Sequence, residues 1–207
     1  PGAGVLAWLI TALLLLVPAS EAVVATLNRL ISESLHPEPL PRLAFDDGLP
    51  PQARTLVVVP AMLTSAAGIN TLVAQLEQHH LANPERQTQF ALLTDVADAD
   101  TPTLPADATL LAQARQAVVA LNQRHGPGCQ GDARFLLLHR ERVWSESERR
   151  YIGWERKRGK LEQLLALLAG GAATASPFVD LGPLSRPTAA VQFIITLDSD
   201  TDLPPGA

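Results

Sequence analysis

Short runs of consecutive apolar residues alternate with stripes of helical period through most of the chain. The runs lie at residues 55–59, 90–93, 135–138 and 191–197, the last interrupted by Gln192 and Thr196. An unbroken run such as 55–59 is typical of a strand buried on both faces. Between them, apolar side chains recur every three or four residues, as expected for helices. These stripes comprise Ile69, Leu72, Val73 and Leu76, then Leu111, Ala114, Val118 and Leu121, then Leu161, Leu164, Leu165 and Leu168. The alternation predicts an α/β fold with a mostly parallel sheet.

The beginning of the chain follows a different pattern. Thr11 is the only polar side chain from Ala3 to Val17, and the apolar character continues to Ala25. Because a bilayer core takes about 20 mainly apolar helical residues, we predict a membrane helix here, kinked at Pro18. Two alternatives stay open: a core or interfacial helix, and a secretory signal peptide, although no basic region precedes the segment.

Prolines then replace the periodic pattern. Residues 32–52 contain Pro37, Pro39, Pro41, Pro50 and Pro51, which remove backbone donors and disfavour regular structure. We therefore predict a transmembrane or membrane-associated helix in residues 1–30, a proline-rich linker in 31–53 and a soluble domain in 54–207. The chain starts without methionine and stops soon after a strand, so we expect it to be a fragment of a longer protein.

Composition narrows the classes of function. The net charge of −5 argues against a general nucleic-acid binder. The single cysteine, Cys129, excludes an internal disulfide and a cysteine-built zinc site.

Ligands of parallel α/β sheets bind beyond the carboxyl ends of the strands, so the residues that follow each run carry the candidate chemistry. Pro60 follows the first run without the glycine pattern of a dinucleotide fold, which argues against a Rossmann dehydrogenase. Asp95 follows the second run, His139 and Arg140 follow the third, and Asp198 follows the fourth.

A basic stretch begins at the third strand end. It holds half of the 16 Lys and Arg residues of the chain: Arg140, Arg142, Arg149, Arg150, Arg156, Lys157, Arg158 and Lys160. One interpretation is a solvated face or a patch against anionic lipid. The other is a clamp for a diphosphate, since both residue types suit phosphate oxygens. A Walker loop does not fit, because Leu161 stands where Ser or Thr should be.

The pattern Asp-x-Asp occurs at 98/100, 198/200 and 200/202, so its presence alone is weak evidence. Only Asp198 directly follows a predicted buried strand. Two carboxylates at this spacing suit Mg²⁺ or Mn²⁺ already held by a diphosphate, and we predict Asp198 and Asp200 as metal ligands. The alternative is an acidic turn or a helix cap.

His79 and His80 end the first predicted helix of the soluble domain. Adjacent helical positions point in different directions, so the pair is a poor metal site. We expect these histidines to interact as cations with the helix end.

Several segments resemble the start of the glycosyltransferase domain of cyclic β-1,2-glucan synthases. They are TLVVVP (55–60) with LTS (63–65), LANP (81–84), FALLTD (90–95), FLLLHR (135–140), GWERKRGKLE (153–162) and ITLDSDT (195–201). The resemblance covers residues 54–204, and its most specific part is GWERKRGKLE. It implies an incomplete GT-A type, Rossmann-like fold. It also implies inverting transfer of glucose from UDP-glucose to a growing β-1,2-glucan acceptor, at a bacterial-type inner membrane with the soluble domain facing the cytoplasm.

The resemblance also implies roles for individual residues. Asp95 is expected to contact the uracil, and Asp198 with Asp200 to hold the metal and the diphosphate. Lys157 is expected near the donor, with Arg158, Gly159 and Lys160 in support, and Pro60 completes the nucleotide-sugar-binding set.

The catalytic base of such synthases lies after the Asp-x-Asp strand, so it is expected beyond Ala207, and we expect this piece alone to be inactive. A non-catalytic, membrane-tethered α/β module that binds a nucleotide or a partner is the alternative function.

Overall fold

The computed structural model describes residues 2–35, 45, 47–128, 130–170, 176–188 and 191–205. The chain divides into two compact units, Pro1–Ala44 and Phe45–Ala207. Most of the predicted linker prolines and Cys129 lie outside the described residues. The predicted domain boundaries after residues 30 and 53 stay predictions.

In the described part of the first unit, residues 2–35, there is one helix, α1 (Gly2–Ser34), which continues through Pro18 and into the predicted linker. Within its stretch Gly4–Ser34, an 18-residue window has a mean hydropathy of 2.0, and none of that window is buried. By length and composition α1 can cross a membrane, and a signal sequence near an N-terminus has the same properties.

The second unit is a four-stranded parallel sheet with helices on both faces, as the alternating pattern predicted. Its strand order is β3-β2-β1-β6, and a separate antiparallel hairpin is formed by β4 and β5. Along the chain the elements are β1 (Thr55–Leu63), α2 (Ala66–Ala82), β2 (Thr88–Val96), α3 (Pro105–His125), β3 (Phe135–His139), β4 (Val143–Ser145), β5 (Arg150–Ile152), α4 (Arg156–Gly170) and β6 (Phe193–Thr196).

The sheet has an apolar layer on each face, because successive side chains of a strand point to opposite faces. Val57, Phe90 and Leu137 lie in the layer that packs against α2 and α3. Leu56 and Leu93 lie in the opposite layer, which includes Leu164 of α4. All nine residues of β2 are buried, in agreement with the unbroken apolar run that predicted this strand.

The strand before Asp198 differs from its prediction as a buried strand. β6 spans only Phe193–Thr196, and its side chains are mostly exposed, with Phe193 at 51% and Ile195 at 40%. It lies at the edge of the described sheet, where β1 is its only strand partner. The apolar run identified a strand correctly, but its number of neighbours in the sheet decides its burial.

Candidate functional site

The direction of chain progression reverses at β1, which lies between β2 and β6. In open α/β sheets the crevice at such a reversal, beyond the carboxyl ends of the strands, is where ligands bind. β6 pairs only with Thr55–Val58, whereas β1 continues to Leu63. Residues 60–62 of β1 are accordingly half-buried, and this side of β1 is open among the described strands.

The apolar run predicted that Pro60 follows the end of the first strand. In the structure Pro60 lies inside β1. It stands opposite Leu93 of β2. The Thr55 N–H points toward β2, where it donates to the Gln87 carbonyl at 3.0 Å. The backbone N–H groups of successive residues point alternately to the two sides of a strand. Position 60 therefore faces the β6 side beyond the last β6 pair, where a proline removes no ladder hydrogen bond.

Asp95, near the carboxyl end of β2, is the centre of a buried ion cluster. Its side chain is 3% exposed, and its two oxygens accept hydrogen bonds from different cations. Lys160 Nζ donates to Oδ1 at 3.0 Å, and Arg140 Nη2 donates to Oδ2 at 3.1 Å. Lys160 also donates to the Ala61 carbonyl of β1 at 2.6 Å. Burial lowers the pKa of Lys160, and the Asp95 carboxylate partly opposes that shift.

Lys157 and Asp198 form an ion pair, so two predicted site residues 41 positions apart meet. Lys157 lies in the first turn of α4, and one residue, Leu197, separates Asp198 from the end of β6. Both side chains are about half exposed, 52% and 58%. Exposed pairs contribute about 0–1 kcal/mol to stability, so an anionic or metal ligand would replace this contact at little cost.

Arg158 and Gly159 have different environments despite their adjacency. Arg158 is exposed and pairs with Glu162 on the same helix at 2.8 Å. Gly159 is buried, and a Cβ there would lie 2.2 Å from the Trp154 carbonyl oxygen. Only glycine fits at this position, so Gly159 allows the first turn of α4 to close over Trp154.

Asp198 and Asp200 both lie in an exposed turn closed by the Thr201 N–H, which donates to the Asp198 carbonyl at 3.0 Å. Within the described residues, no group of three or more His, Cys, Asp or Glu side chains is arranged to hold a metal ion. Two carboxylates still fit Mg²⁺ or Mn²⁺, because Mg²⁺ commonly takes one or two carboxylates and completes its shell with phosphates and water.

The first Asp-x-Asp copy has a structural role. Asp98 accepts hydrogen bonds from Arg156 Nη2 at 2.6 Å and from the Gly153 N–H at 3.3 Å. Asp100 lies 3.7 Å from Arg150 and is 93% exposed. The Asp198/Asp200 copy differs from this one, because Asp198 pairs with the exposed Lys157 side chain.

The basic stretch is not one solvated face. Arg140, Arg142 and Lys160 are buried, and Arg142 pairs with Asp107, whose pKa this hydrogen bond lowers. Lys157 and Arg158 are exposed. The sequence identified the strand end at Arg140 but assigned this residue no individual partner. Its pairing with Asp95 depends on two strands 45 residues apart in the chain.

No protein-family model matches the chain. Over 195 residues it is 41% identical to the cyclic beta-(1,2)-glucan synthase NdvB of Rhizobium meliloti (strain 1021). The match covers 94% of this chain, which spans only 7% of the length of that relative. The predicted resemblance to cyclic β-1,2-glucan synthases is thereby confirmed along almost the whole chain.

Proposed function

We propose that this chain is the donor-binding part of a membrane glycosyltransferase that transfers glucose from UDP-glucose to a growing β-1,2-glucan. The observation that carries the proposal is the contact between Lys157 and Asp198 beside the open side of β1. It brings a basic helix start and an acidic turn together at the chain reversal of a parallel sheet. The 41% identity to a glucan synthase supports the same class of reaction.

In this proposal the exposed groups bind the diphosphate. Lys157 would contact phosphate oxygens, and Asp198 with Asp200 would hold Mg²⁺ or Mn²⁺. The metal, when bound, offsets the charge that develops on the departing UDP. With the metal bound, Asp198 would be its ligand, and the Lys157 ammonium group, now paired with Asp198, would be available to the phosphates.

The buried predicted residues require a different account. Both oxygens of Asp95 accept hydrogen bonds inside the protein, and Lys160 is only 4% exposed. Contact of Asp95 with a uracil ring stays a prediction, as do donor contacts of Pro60 and Arg158. Gly159 contributes by its lack of a side chain, which the turn around Trp154 requires.

Inversion at the anomeric carbon, a GT-A type sheet and an acceptor β-1,2-glucan belong to the same proposal. An inverting transfer needs a carboxylate beside the acceptor hydroxyl to take its proton. We assign none of the described carboxylates to this role, and we propose that the chain alone binds donor without transferring glucose. α1 would anchor the chain in a bacterial-type inner membrane, with the second unit in the cytoplasm.

The first test is donor binding by the protein in detergent, measured by titration calorimetry with UDP-glucose in Mn²⁺ and in EDTA. We expect binding in Mn²⁺ that weakens strongly in EDTA. The variants Asp198→Asn and Asp200→Asn should each lose about 2–3 kcal/mol of metal-dependent binding energy, typical of charge-assisted contacts.

Asp100→Asn is the matched control, because it removes one carboxylate from another Asp-x-Asp copy that is almost fully exposed. It should bind like the unaltered protein. If Asp198→Asn, Asp200→Asn and Asp100→Asn all bind UDP-glucose in Mn²⁺ with equal affinity, the proposed metal site is wrong. Absence of UDP-glucose binding in the unaltered protein would favour the non-catalytic module.

A further inference from the structure

Arg140 connects three parts of the proposed donor site from a buried position. It lies immediately after β3 and is 2% exposed. Its guanidinium donates to Asp95 Oδ2 on β2 through Nε at 3.3 Å and through Nη2 at 3.1 Å. Nη2 also donates to the Arg156 carbonyl at 2.9 Å, and Nη1 donates to Gln163 Oε1 at 3.2 Å. The side chain therefore joins the strand ends to the first turns of α4.

The turn that Arg140 contacts has an unfavourable backbone. Glu155 has φ 49° and Arg156 has φ 36°, and two consecutive non-glycine residues in the left-handed region are uncommon. Such a residue is strained and persists only where the surroundings fix it. Lys157 follows directly, so the direction of its side chain depends on what holds this turn.

Close packing fixes the same turn from below. A Cβ on Gly153 would lie 2.6 Å from Asp95 Oδ2 and 3.3 Å from Arg140 Nη2. The backbone before α4 therefore rests directly on the Arg140–Asp95 pair. A shift of that pair would therefore move the backbone at Gly153 and the turn that follows it.

The charges of the cluster show that it can survive the loss of Arg140. Two cations, Arg140 and Lys160, share one carboxylate, Asp95. Replacing Arg140 by a neutral residue leaves Asp95 and Lys160 as a balanced pair, and no buried charge loses its counter-ion. The large penalty for stranding a buried charge is thus avoided.

We propose that Arg140 is a positioning residue that holds the Glu155–Arg156 turn and so directs Lys157 toward the diphosphate site. This inference rests on the proposed function for its ligand, whereas its structural part, the hold on the turn, is independent of any ligand. Arg140 itself touches no ligand in this proposal. Its effect on donor binding passes through Lys157.

The structural part is tested by hydrogen–deuterium exchange of the ligand-free protein. Arg140→Gln should raise exchange at least about fivefold in peptides covering 155–160, because the turn loses a hydrogen bond to its carbonyl and the packing of Gly153 against the guanidinium. Arg142→Gln is the matched control. Arg142 is also buried, but it donates to Asp107 and to the Ala97 and Pro102 carbonyls rather than to the carbonyl of the Glu155–Arg156 turn. It should leave exchange in 155–160 unchanged, whatever its effect on overall stability.

The functional part is tested by a double-mutant cycle with UDP-glucose and Mn²⁺. Arg140→Gln should weaken binding about tenfold in the unaltered background and less than about twofold in the Lys157→Ala background, since coupled residues are not additive. Arg142→Gln should weaken it less than about twofold in both. Arg140→Lys, which keeps the charge but loses the planar fork, should lie between Arg140→Gln and the unaltered protein.

The outcomes separate the two proposals. Unchanged exchange in 155–160 for both Arg140→Gln and Arg140→Lys overturns the positioning role, whether or not UDP-glucose binds. Equal weakening by Arg140→Gln with and without Lys157 overturns the path through Lys157. If Arg140→Gln does not fold, the same exchange and cycle measurements on Arg140→Lys decide the question. Absence of binding in the unaltered protein defeats the proposed function and leaves the exchange result valid.

Discussion

His80 lies near the end of α2 with its ring in a cluster of aromatic side chains. It makes edge contacts with Phe90, Phe135 and His125 at centroid distances of 5.2–5.5 Å, and its Nδ1 is buried without a hydrogen-bond partner among the described residues. Burial lowers the pKa of His80 to about 4 and also lowers the pKa of His79. These shifts favour the neutral rings, contrary to the expectation of helix-end cations, because burial disfavours the charged form of both histidines.

The two strongly shifted histidines predict a pH-dependent stability. The pKa values of His80 and His139 are both lowered to about 4 by burial, from an ordinary value of 6.5. Between these values the unfolded chain binds protons that the folded chain does not, so stability falls as pH drops from 6.5 to 4. The loss is at most about 1.4 kcal/mol per pH unit for each histidine.

Urea unfolding midpoints between pH 8 and pH 4 measure this dependence. His80→Leu should remove about half of the slope between pH 6.5 and pH 4.5. It should leave the plateau above pH 7.5 flat, as in the unaltered protein. Glu77, whose pKa is lowered by its hydrogen bond with His125, titrates below this window. An unchanged slope in His80→Leu would show that His80 binds its proton at the same pH in the folded and the unfolded chain.

At the residue scale, the strand-end rule predicted which side chains to examine but not their partners. Asp95 and Asp198 were both identified, and the proximity of Lys157 to Asp198 agrees with a shared site. The burial of Asp95 between Arg140 and Lys160 had no local signal, because each partner comes from a different element. A charge pattern in sequence does not distinguish a solvated cation from one that is buried and paired.

At the scale of elements, the start of α4 determines the geometry of the basic side of the site. The helix begins at Arg156, the second residue of the strained turn, and its first turn packs on Trp154. Gly159 allows this packing because a Cβ would lie 2.7 Å from Trp154 Cε3 and 2.2 Å from the Trp154 carbonyl oxygen.

Gly159→Ala should destabilise the protein by about 1–3 kcal/mol, the usual cost of overpacking, because backbone atoms block the new methyl group. It should also weaken donor binding, since α4 carries Lys157. Gly128→Ala is the control, because a Cβ there meets the Asp132 carbonyl at an ordinary 3.4 Å. Thermal unfolding of the two variants gives the comparison. Equal melting temperatures would mean that the turn at Trp154 relaxes freely.

Two elements show the limits of local patterns. The hairpin of β4 and β5 was not predicted, because its strands are three residues each and lie within the basic stretch. Its position is fixed instead by Tyr151, which exchanges two backbone hydrogen bonds with Ala99. β6 was predicted as buried, since an apolar run contains no information about how many strands flank it.

At the scale of the whole molecule, the proposed function gives the apolar helix α1 the role of membrane anchor. α1 has 33 residues, a length of about 50 Å, which exceeds a hydrocarbon core of about 30 Å. The pair Arg29–Glu33 lies near its end, where charges are tolerated. The proposed function therefore predicts that the protein fractionates with membranes.

Carbonate extraction of membranes tests this prediction. The unaltered protein should stay in the pellet, and Leu14→Arg should shift much of it to the supernatant, because a central arginine costs about 2.5–3.5 kcal/mol. Asn28→Arg adds the same charge near the charged end and should have little effect. Release of the unaltered protein by carbonate would contradict a spanning helix.

The sequence by itself determined the α/β class, the order of the helices and of the four strands of the main sheet, the apolar first helix and the resemblance to glucan synthases. The class, the element order and the first helix follow from periodicity and composition, which are local, whereas the resemblance follows from the matching segments of sequence. Only the tertiary structure decided that β6 is an edge strand, that Pro60 lies inside β1, and that Arg140 and Lys160 share Asp95. The physical reason is that burial and ion pairing depend on neighbours supplied by distant segments, and those neighbours exist only once the sheet is assembled.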